Sequence, residues 1–133
     1  MDPEGARSAV LATLDRFDLL ISARGWSLLS LFATDADAML AASEVGDLAR
    51  GPEAIREHLA MVFRSPARLS FEWRSREASV VGEAAWIFAN GELILRGPAG
   101  EERTPYRLTV VLERRGDEWL WRHFHGSQPR PDR

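Results

Sequence analysis

The C-terminal end of the chain carries the pattern that most restricts its fold. Residues 104–113 and 119–127 are rich in β-branched and aromatic side chains, and a turn at Gly116 and Asp117 separates them. Two such runs joined by a tight glycine turn predict an antiparallel hairpin. This hairpin brings two histidines, one arginine and three aromatic residues of its last strand to one end of a sheet.

Two more long strands are predicted upstream of this hairpin. Residues 69–73 alternate apolar and polar side chains, and residues 84–95 form a second β-rich run. Glycine-containing turns at 81–83 and 97–100 separate these runs from each other and from the hairpin. Long neighbouring strands joined by tight turns imply an antiparallel meander of four strands.

The N-terminal half of the chain predicts three helices and one short strand. The Asp-Pro-Glu sequence at 2–4 is a helix-start signal, and residues 26–32 and 51–65 predict two further helices. A short apolar run at 38–43 predicts the strand. Behind the first start signal, apolar side chains recur at helical spacing, at Val10, Leu14, Phe17 and Ile21. Helices followed by a meander predict an α+β fold with the helices on one face of the sheet.

Composition excludes several classes of chemistry. The chain has 133 residues, which suits one domain with a real core, and its net charge of −3 gives no general attraction to nucleic acid or anionic membranes. It contains no Cys, so thiolate catalysis and disulfides are excluded, and all 17 basic residues are Arg, which excludes a Schiff-base lysine. No signal peptide or bilayer-spanning run is evident, and we therefore expect a cytoplasmic protein.

Two segments resemble a known superfamily. Residues 106–127 read YRLTVVLERRGDEWLWRHFHGS, and residues 48–55 read LARGPEAI. The hairpin, its Trp119 and the His-x-His-x-Ser ending are similar to SnoaL-like domains of the nuclear transport factor 2-like superfamily. They are also similar to the association domain of calcium/calmodulin-dependent kinase II. The resemblance covers nearly the whole chain.

This resemblance implies a cone in which a curved antiparallel sheet surrounds a cavity and three N-terminal helices close it. It makes residues 1–133 one domain, with 128–133 as a loose tail. Homodimers formed through the outer sheet face are common in the superfamily. The run at 104–113 is apolar on both faces, which independently favours a sheet that is covered on both sides.

Period-two alternation groups the candidate pocket residues. Trp86, Phe88 and Asn90 share one strand face, which we expect to line the cavity together with Tyr106. Alternation does not decide which face of the last strand points inward. At the positions of Gly126 and Asn90 the association domain carries pocket arginines, so the absence of arginine here argues against the same acidic ligands. The full predicted pocket consists of Trp26, His58, Trp73, Trp86, Phe88, Asn90, Tyr106, Arg122 and Phe124.

Several of these side chains have a functional and a structural interpretation. His123 and His125 lie two apart on one face and are candidates for a general base, with structural hydrogen bonding as the alternative. No Asp or Glu in the last strand completes a metal site, so we expect none. His58 is either at the cavity mouth or a packing residue. Arg122 either clamps a ligand carboxylate or pairs with acidic residues on the sheet, such as Glu113.

Three functions remain open at this point. The first is binding of a small apolar or weakly polar molecule by a homodimer, without a cofactor. The second is a cofactor-free isomerase, cyclase or hydrolase with His123 or His125 as base. Related enzymes use a cavity Asp, whereas every Asp here falls in a predicted helix, turn or tail. The third is an oligomeric association module. No phosphate-binding loop or nucleic-acid surface is evident.

Overall fold

The computed structural model describes residues 2–131 as an α+β fold with a six-stranded curved sheet. Residues 128–131 have no helix or strand, and the last two residues of the predicted tail lie outside the described residues. Among the described residues, no helix is long and apolar enough to cross a membrane. In chain order the elements are α1 (Pro3–Ala23), a 3-10 helix (Trp26–Leu31), β1 (Met39–Ala41), β2 (Leu48–Arg50), α2 (Pro52–Arg64), β3 (Arg68–Val81), β4 (Ala84–Gly97), β5 (Gly100–Arg115) and β6 (Glu118–Ser127).

The strand order in the sheet is β2-β1-β6-β5-β4-β3. Strands β3 to β6 form the predicted antiparallel meander. Beyond this meander the sheet contains one parallel pair, because β1 runs parallel to β6, with Leu40 opposite Phe124. The N-terminal half also contains two short strands instead of one, since the chain turns back after β1 and pairs β2 with it.

Helix α1 begins and packs as its sequence predicts. The Asp2 carboxylate accepts a hydrogen bond from the Gly5 N–H at 2.6 Å, which caps the first turn. The four apolar side chains of the helical stripe are all buried against the sheet. Thr13 on the same helix accepts a hydrogen bond from the Trp121 indole N–H at 2.9 Å. This buried contact fixes α1 on the inner face of β6.

A β-bulge at Arg122 reverses the inward and outward faces within β6. The strand pairs Leu112 with Trp121 and Val111 with His123, so Arg122 is an extra residue without a partner position on β5. Trp121 and Phe124 are therefore both buried on the inner face. Strict alternation had grouped Arg122 with Phe124 and Trp121 with the histidines. That grouping was wrong, because a bulge shifts the alternation by one residue.

Candidate functional site

The inner face of the sheet encloses a cavity of about 340 Å³ beneath the two α-helices and the β1–β2 loop. Its wall is mostly apolar, and aromatic rings stand close together in it. The Phe17 ring centroid lies 5.6 Å from those of Phe71 and Phe124. A cavity of this volume suits a small organic molecule. The apolar lining consists of Phe17, Ile21, Leu40, Ala42, Leu59, Met61, Val62, Ala67, Leu69, Phe71, Leu93, Leu95 and Phe124.

A histidine and an aspartate meet in this cavity. His58 lies on α2 and Asp47 at the end of the β1–β2 loop, and the His58 Nδ1 lies 4.0 Å from an Asp47 carboxylate oxygen. Burial lowers the pKa of His58 from its ordinary 6.5, and the negative charge of Asp47 opposes this shift only in part. The imidazole is therefore neutral at pH 7 and has a lone pair available to accept a proton.

Tyr106 on β5 adds a hydroxyl group to the same cavity. Its side chain is 2 % exposed, and its hydroxyl forms no side-chain hydrogen bond within residues 2–131. Burial, and secondarily the charge of Asp47, raises the pKa of the phenol, so the group keeps its proton and remains a hydrogen-bond donor. Gly126 on β6 makes this position accessible, because a Cβ atom there would overlap the Tyr106 hydroxyl.

Trp73 supports the cavity wall from behind. Its ring stacks on Phe71 with centroids 5.2 Å apart and lies 6.4 Å from Tyr106. The indole N–H donates to both carboxylate oxygens of Asp18 on α1, at 3.0 and 3.1 Å. Burial raises the pKa of Asp18 to about 6, although the hydrogen bond from Trp73 favours its charged form. Trp73 is thus held in place by α1 and does not itself line the cavity.

Three predicted pocket residues on β4 lie on the outer face of the sheet. Trp86 is 43 % exposed and Phe88 is 37 % exposed, and Asn90 continues the same face. The inner positions are Ala85, Ile87 and Ala89, all fully buried. Trp86, Phe88 and Asn90 share one face of β4, as predicted, but that face is the outer one and does not line the cavity. The small side chains at 85 and 89 let α1 approach the inner face of the sheet. Because side chains alternate along a strand, the large rings at 86 and 88 point away from α1.

Two further predicted pocket residues lie elsewhere. Trp26 is 43 % exposed on the 3-10 helix, and the Arg56 guanidinium lies 4.9 Å from its ring centre. Arg122 donates to Asp37 at 2.6 Å and also pairs with Asp35 at 3.2 Å. The structural alternative for Arg122, pairing with nearby acidic residues, is the arrangement observed.

His123 and His125 lie on the outer face with their ring centroids 6.2 Å apart. Burial, and next the charges of His125 and Arg50, lowers the pKa of His123. Neither imidazole lines the cavity. The bulge at Arg122 turns both side chains to the outer face, whereas a general base for a cavity ligand must lie on the inner face. Within residues 2–131 no group of three His, Asp or Glu side chains is arranged to hold a metal ion.

The cavity therefore contains three of the nine predicted pocket residues: His58, Tyr106 and Phe124. It also contains Asp47, which the sequence analysis placed in a turn and did not include among the pocket residues. No local pattern locates it, because Asp47 meets His58 only through the packing of the β1–β2 loop against α2.

Comparison with known proteins places this architecture in a family. A profile of the SnoaL-like domain matches residues 10–131, which is nearly the whole chain. The chain belongs to the SnoaL-like domain family. No curated protein matches its sequence.

Solved structures with the same fold have diverse names. A candidate dehydratase of the nuclear transport factor 2-like family from Streptomyces avermitilis has a TM-score of 0.88 at 17% identity, with 98% of this chain and 100% of that chain covered. A protein of unknown function from Pseudomonas putida has a TM-score of 0.81 at 19% identity, covering 95% and 88%. The calcium/calmodulin-dependent kinase II hub of S. rosetta has a TM-score of 0.76 at 20% identity, covering 92% and 96%. Identities this low establish the fold of the SnoaL-like domain alone.

Proposed function

We propose that this SnoaL-like domain binds a small, largely apolar molecule in its cavity, without a cofactor. The observation that carries the proposal is the Tyr106 hydroxyl, which faces a mostly apolar cavity and has no side-chain hydrogen-bond partner within residues 2–131. A ligand with a matching polar atom can form the hydrogen bond with this hydroxyl that no side chain of the protein provides. Gly126 is required for this hydroxyl to reach its position, because an added Cβ atom would overlap it.

Changing Tyr106 to Phe tests this proposal. We expect the affinity for a neutral indole alcohol, tryptophol, to fall by about tenfold, because the ligand loses one hydrogen bond in a mostly apolar site. The free energy of unfolding is expected to stay the same or to rise slightly, since the hydroxyl has no internal partner. Calorimetric titration and chemical denaturation measure the two quantities. Equal tryptophol affinity in the wild type and the variant would exclude Tyr106 from the binding site.

We further propose that two copies of the domain associate through the outer sheet face. Trp86, Phe88 and Val111 expose 43, 37 and 40 % of their side chains on adjacent strands. On β6 the same face carries His123 and His125, and beyond β1 the Leu48 side chain on β2 is 61 % exposed. Exposed large apolar side chains on one sheet face are typical of an interface. The kinase hub among the related structures is named for an assembly, which agrees with a second copy as the partner.

Introducing a charge into this outer patch is expected to separate the dimer. Val111→Arg places an unpaired guanidinium in the middle of the apolar surface, and we expect a dissociation constant raised by about a hundredfold or more. Leu19→Arg is the matched control, because Leu19 is 68 % exposed on α1, away from the sheet face. Sedimentation equilibrium measures both. If Val111→Arg associates as strongly as the control, the outer sheet face is not the dimer interface.

Catalysis by proton transfer is the second candidate function. The neutral His58 imidazole faces Asp47 through Nδ1, which leaves Nε2 to accept a proton. The Tyr106 hydroxyl donates a hydrogen bond to a developing enolate oxygen. Removal of a proton next to a carbonyl group begins both isomerisation and dehydration, and the Streptomyces avermitilis relative is named as a candidate dehydratase. We also propose that the protein is cytoplasmic.

Deuterium exchange at the carbon next to the carbonyl of tetralone tests this function. We expect wild-type protein to catalyse the exchange and His58→Gln to slow it by about a hundredfold or more. The imidazole acts when neutral, so the rate should be constant near pH 7. It should fall as the pH drops through a value below 6.5, where His58 becomes protonated.

His123→Gln is the matched control for this exchange experiment. His123 lies on the outer face, and its replacement is expected to leave the exchange rate unchanged. Exchange that persists in His58→Gln and disappears in His123→Gln would instead support the base predicted from the sequence.

A further inference from the structure

The cavity contains carboxylates but no arginine. Glu44 and Asp47 line it, whereas none of the chain's 17 basic residues appears among the described lining residues. Several acidic residues elsewhere in the described structure pair with arginines. Arg103, for example, pairs with Glu92 at 3.3 Å, and Arg115 pairs with Asp35 at 2.7 Å. The charge balance of the cavity therefore differs from that of the surrounding protein.

Within residues 2–131, no arginine pairs with the Asp47 carboxylate. One of its oxygens accepts a weak hydrogen bond from the Glu44 N–H at 3.3 Å, and the other faces the neutral His58 imidazole at 4.0 Å. The charge of Asp47 acts on both neighbouring polar groups, because it opposes the lowered pKa of His58 and adds to the raised pKa of Tyr106. A negative potential therefore extends into the cavity.

A second, independent feature points to a ligand at the same place. Tyr106 is only 2 % exposed. Its hydroxyl faces the cavity and has no side-chain hydrogen-bond partner within residues 2–131. Its oxygen accepts hydrogen bonds as well as donating one. Together with the free imidazole nitrogen of His58 and the Asp47 carboxylate, it forms a set of three acceptors. An ammonium group, with its three N–H donors, matches such a set.

We propose that the cavity selects an organic cation, namely an amine attached to a flat apolar body, and rejects carboxylic acids. The ammonium group binds to Asp47, His58 and Tyr106, and the apolar body lies among the rings of Phe17, Phe71 and Phe124. A carboxylate ligand in the same place meets the charge of Asp47 at close range with no arginine to offset it. This inference rests on the proposed ligand-binding function and adds the charge of the ligand to it.

Three molecules with the same indole skeleton test the inference: tryptamine, tryptophol and indoleacetate. They carry a positive, a neutral and a negative end group at pH 7. By calorimetry we expect tryptamine to bind at least about tenfold more tightly than tryptophol, and indoleacetate to bind most weakly. Asp47→Asn should abolish the advantage of tryptamine over tryptophol, and chemical denaturation shows that the variant is folded. Glu57→Gln, an exposed position on α2, is the matched control and should keep the wild-type order.

The outcomes distinguish the inference about ligand charge from the proposed ligand-binding function. Indoleacetate binding as tightly as tryptamine, or an unchanged tryptamine preference in Asp47→Asn, overturns the inference and leaves the ligand-binding function standing. Failure of all three molecules to bind overturns both.

Discussion

Gly91→Ala is expected to lose about 4 kcal/mol or more of its free energy of unfolding, a loss that few single substitutions cause. Gly91 lies on β4 opposite Trp73, beside the bulge in β3. A Cβ atom at this position would overlap the Glu72 carbonyl oxygen and would lie 2.7 Å from the Trp73 Cα. These are backbone atoms of a paired strand, so the contact is relieved only if β3 and β4 separate. That movement would also displace Phe71 from the cavity wall and Trp73 from its place behind it.

Gly97→Ala is the matched control at the end of the same strand. The nearest atom to its added Cβ would be the Ala67 Cβ at 3.7 Å, an ordinary contact. Its stability is expected to stay within about 1 kcal/mol of the wild type. Chemical denaturation followed by tryptophan fluorescence measures both variants. Equal stability of the two would show that β3 and β4 do not approach this closely at the bulge.

Trp121→Ala is expected to cost about 4 kcal/mol of folding free energy. Its ring is fully buried, with its centroid 5.2 Å from that of Phe17 and 5.6 Å from that of Phe32. Its indole N–H forms the buried hydrogen bond to Thr13 that holds α1 against β6. Truncation removes this bond and leaves a large void between α1 and the sheet, which the surrounding side chains fill only in part.

Trp86→Ala removes the same side chain from the opposite face of the sheet. Because Trp86 is 43 % exposed, its truncation is expected to change the stability of the isolated subunit by about 1 kcal/mol or less. Its main effect should be weaker dimerisation. Urea denaturation at low protein concentration separates subunit stability from association. A larger loss of stability in Trp86→Ala than in Trp121→Ala would reverse the assignment of inner and outer faces.

Much of the fold follows from local sequence patterns. The stripe at Val10, Leu14, Phe17 and Ile21 identifies the buried face of α1, because helical spacing and burial arise from the same residues. The glycine turns at Gly82 and Gly116, both with positive φ, mark the hairpins of the meander. The curved sheet with helices on its inner face was therefore predictable before the structure was known.

The candidate site was less predictable, because it depends on strand register. The bulge at Arg122 moves His123 and His125 to the outer face, and no residue near it signals the shift. On β4, both faces carry apolar side chains, so alternation alone does not distinguish the core from an interface. Asp47 and His58 meet only through the packing of a loop against α2, which local patterns do not describe.

Native mass spectrometry of protein equilibrated with a mixture of small organic molecules tests the central claim, ligand binding in the cavity, most directly. The wild type is compared with Leu93→Trp, which fills the cavity beside Tyr106, and with Leu19→Trp, the same substitution on the exposed surface of α1. The account predicts a small bound mass on the wild type and on Leu19→Trp, and none on Leu93→Trp. The same mass retained on Leu93→Trp, or no bound mass on the wild type, would contradict it.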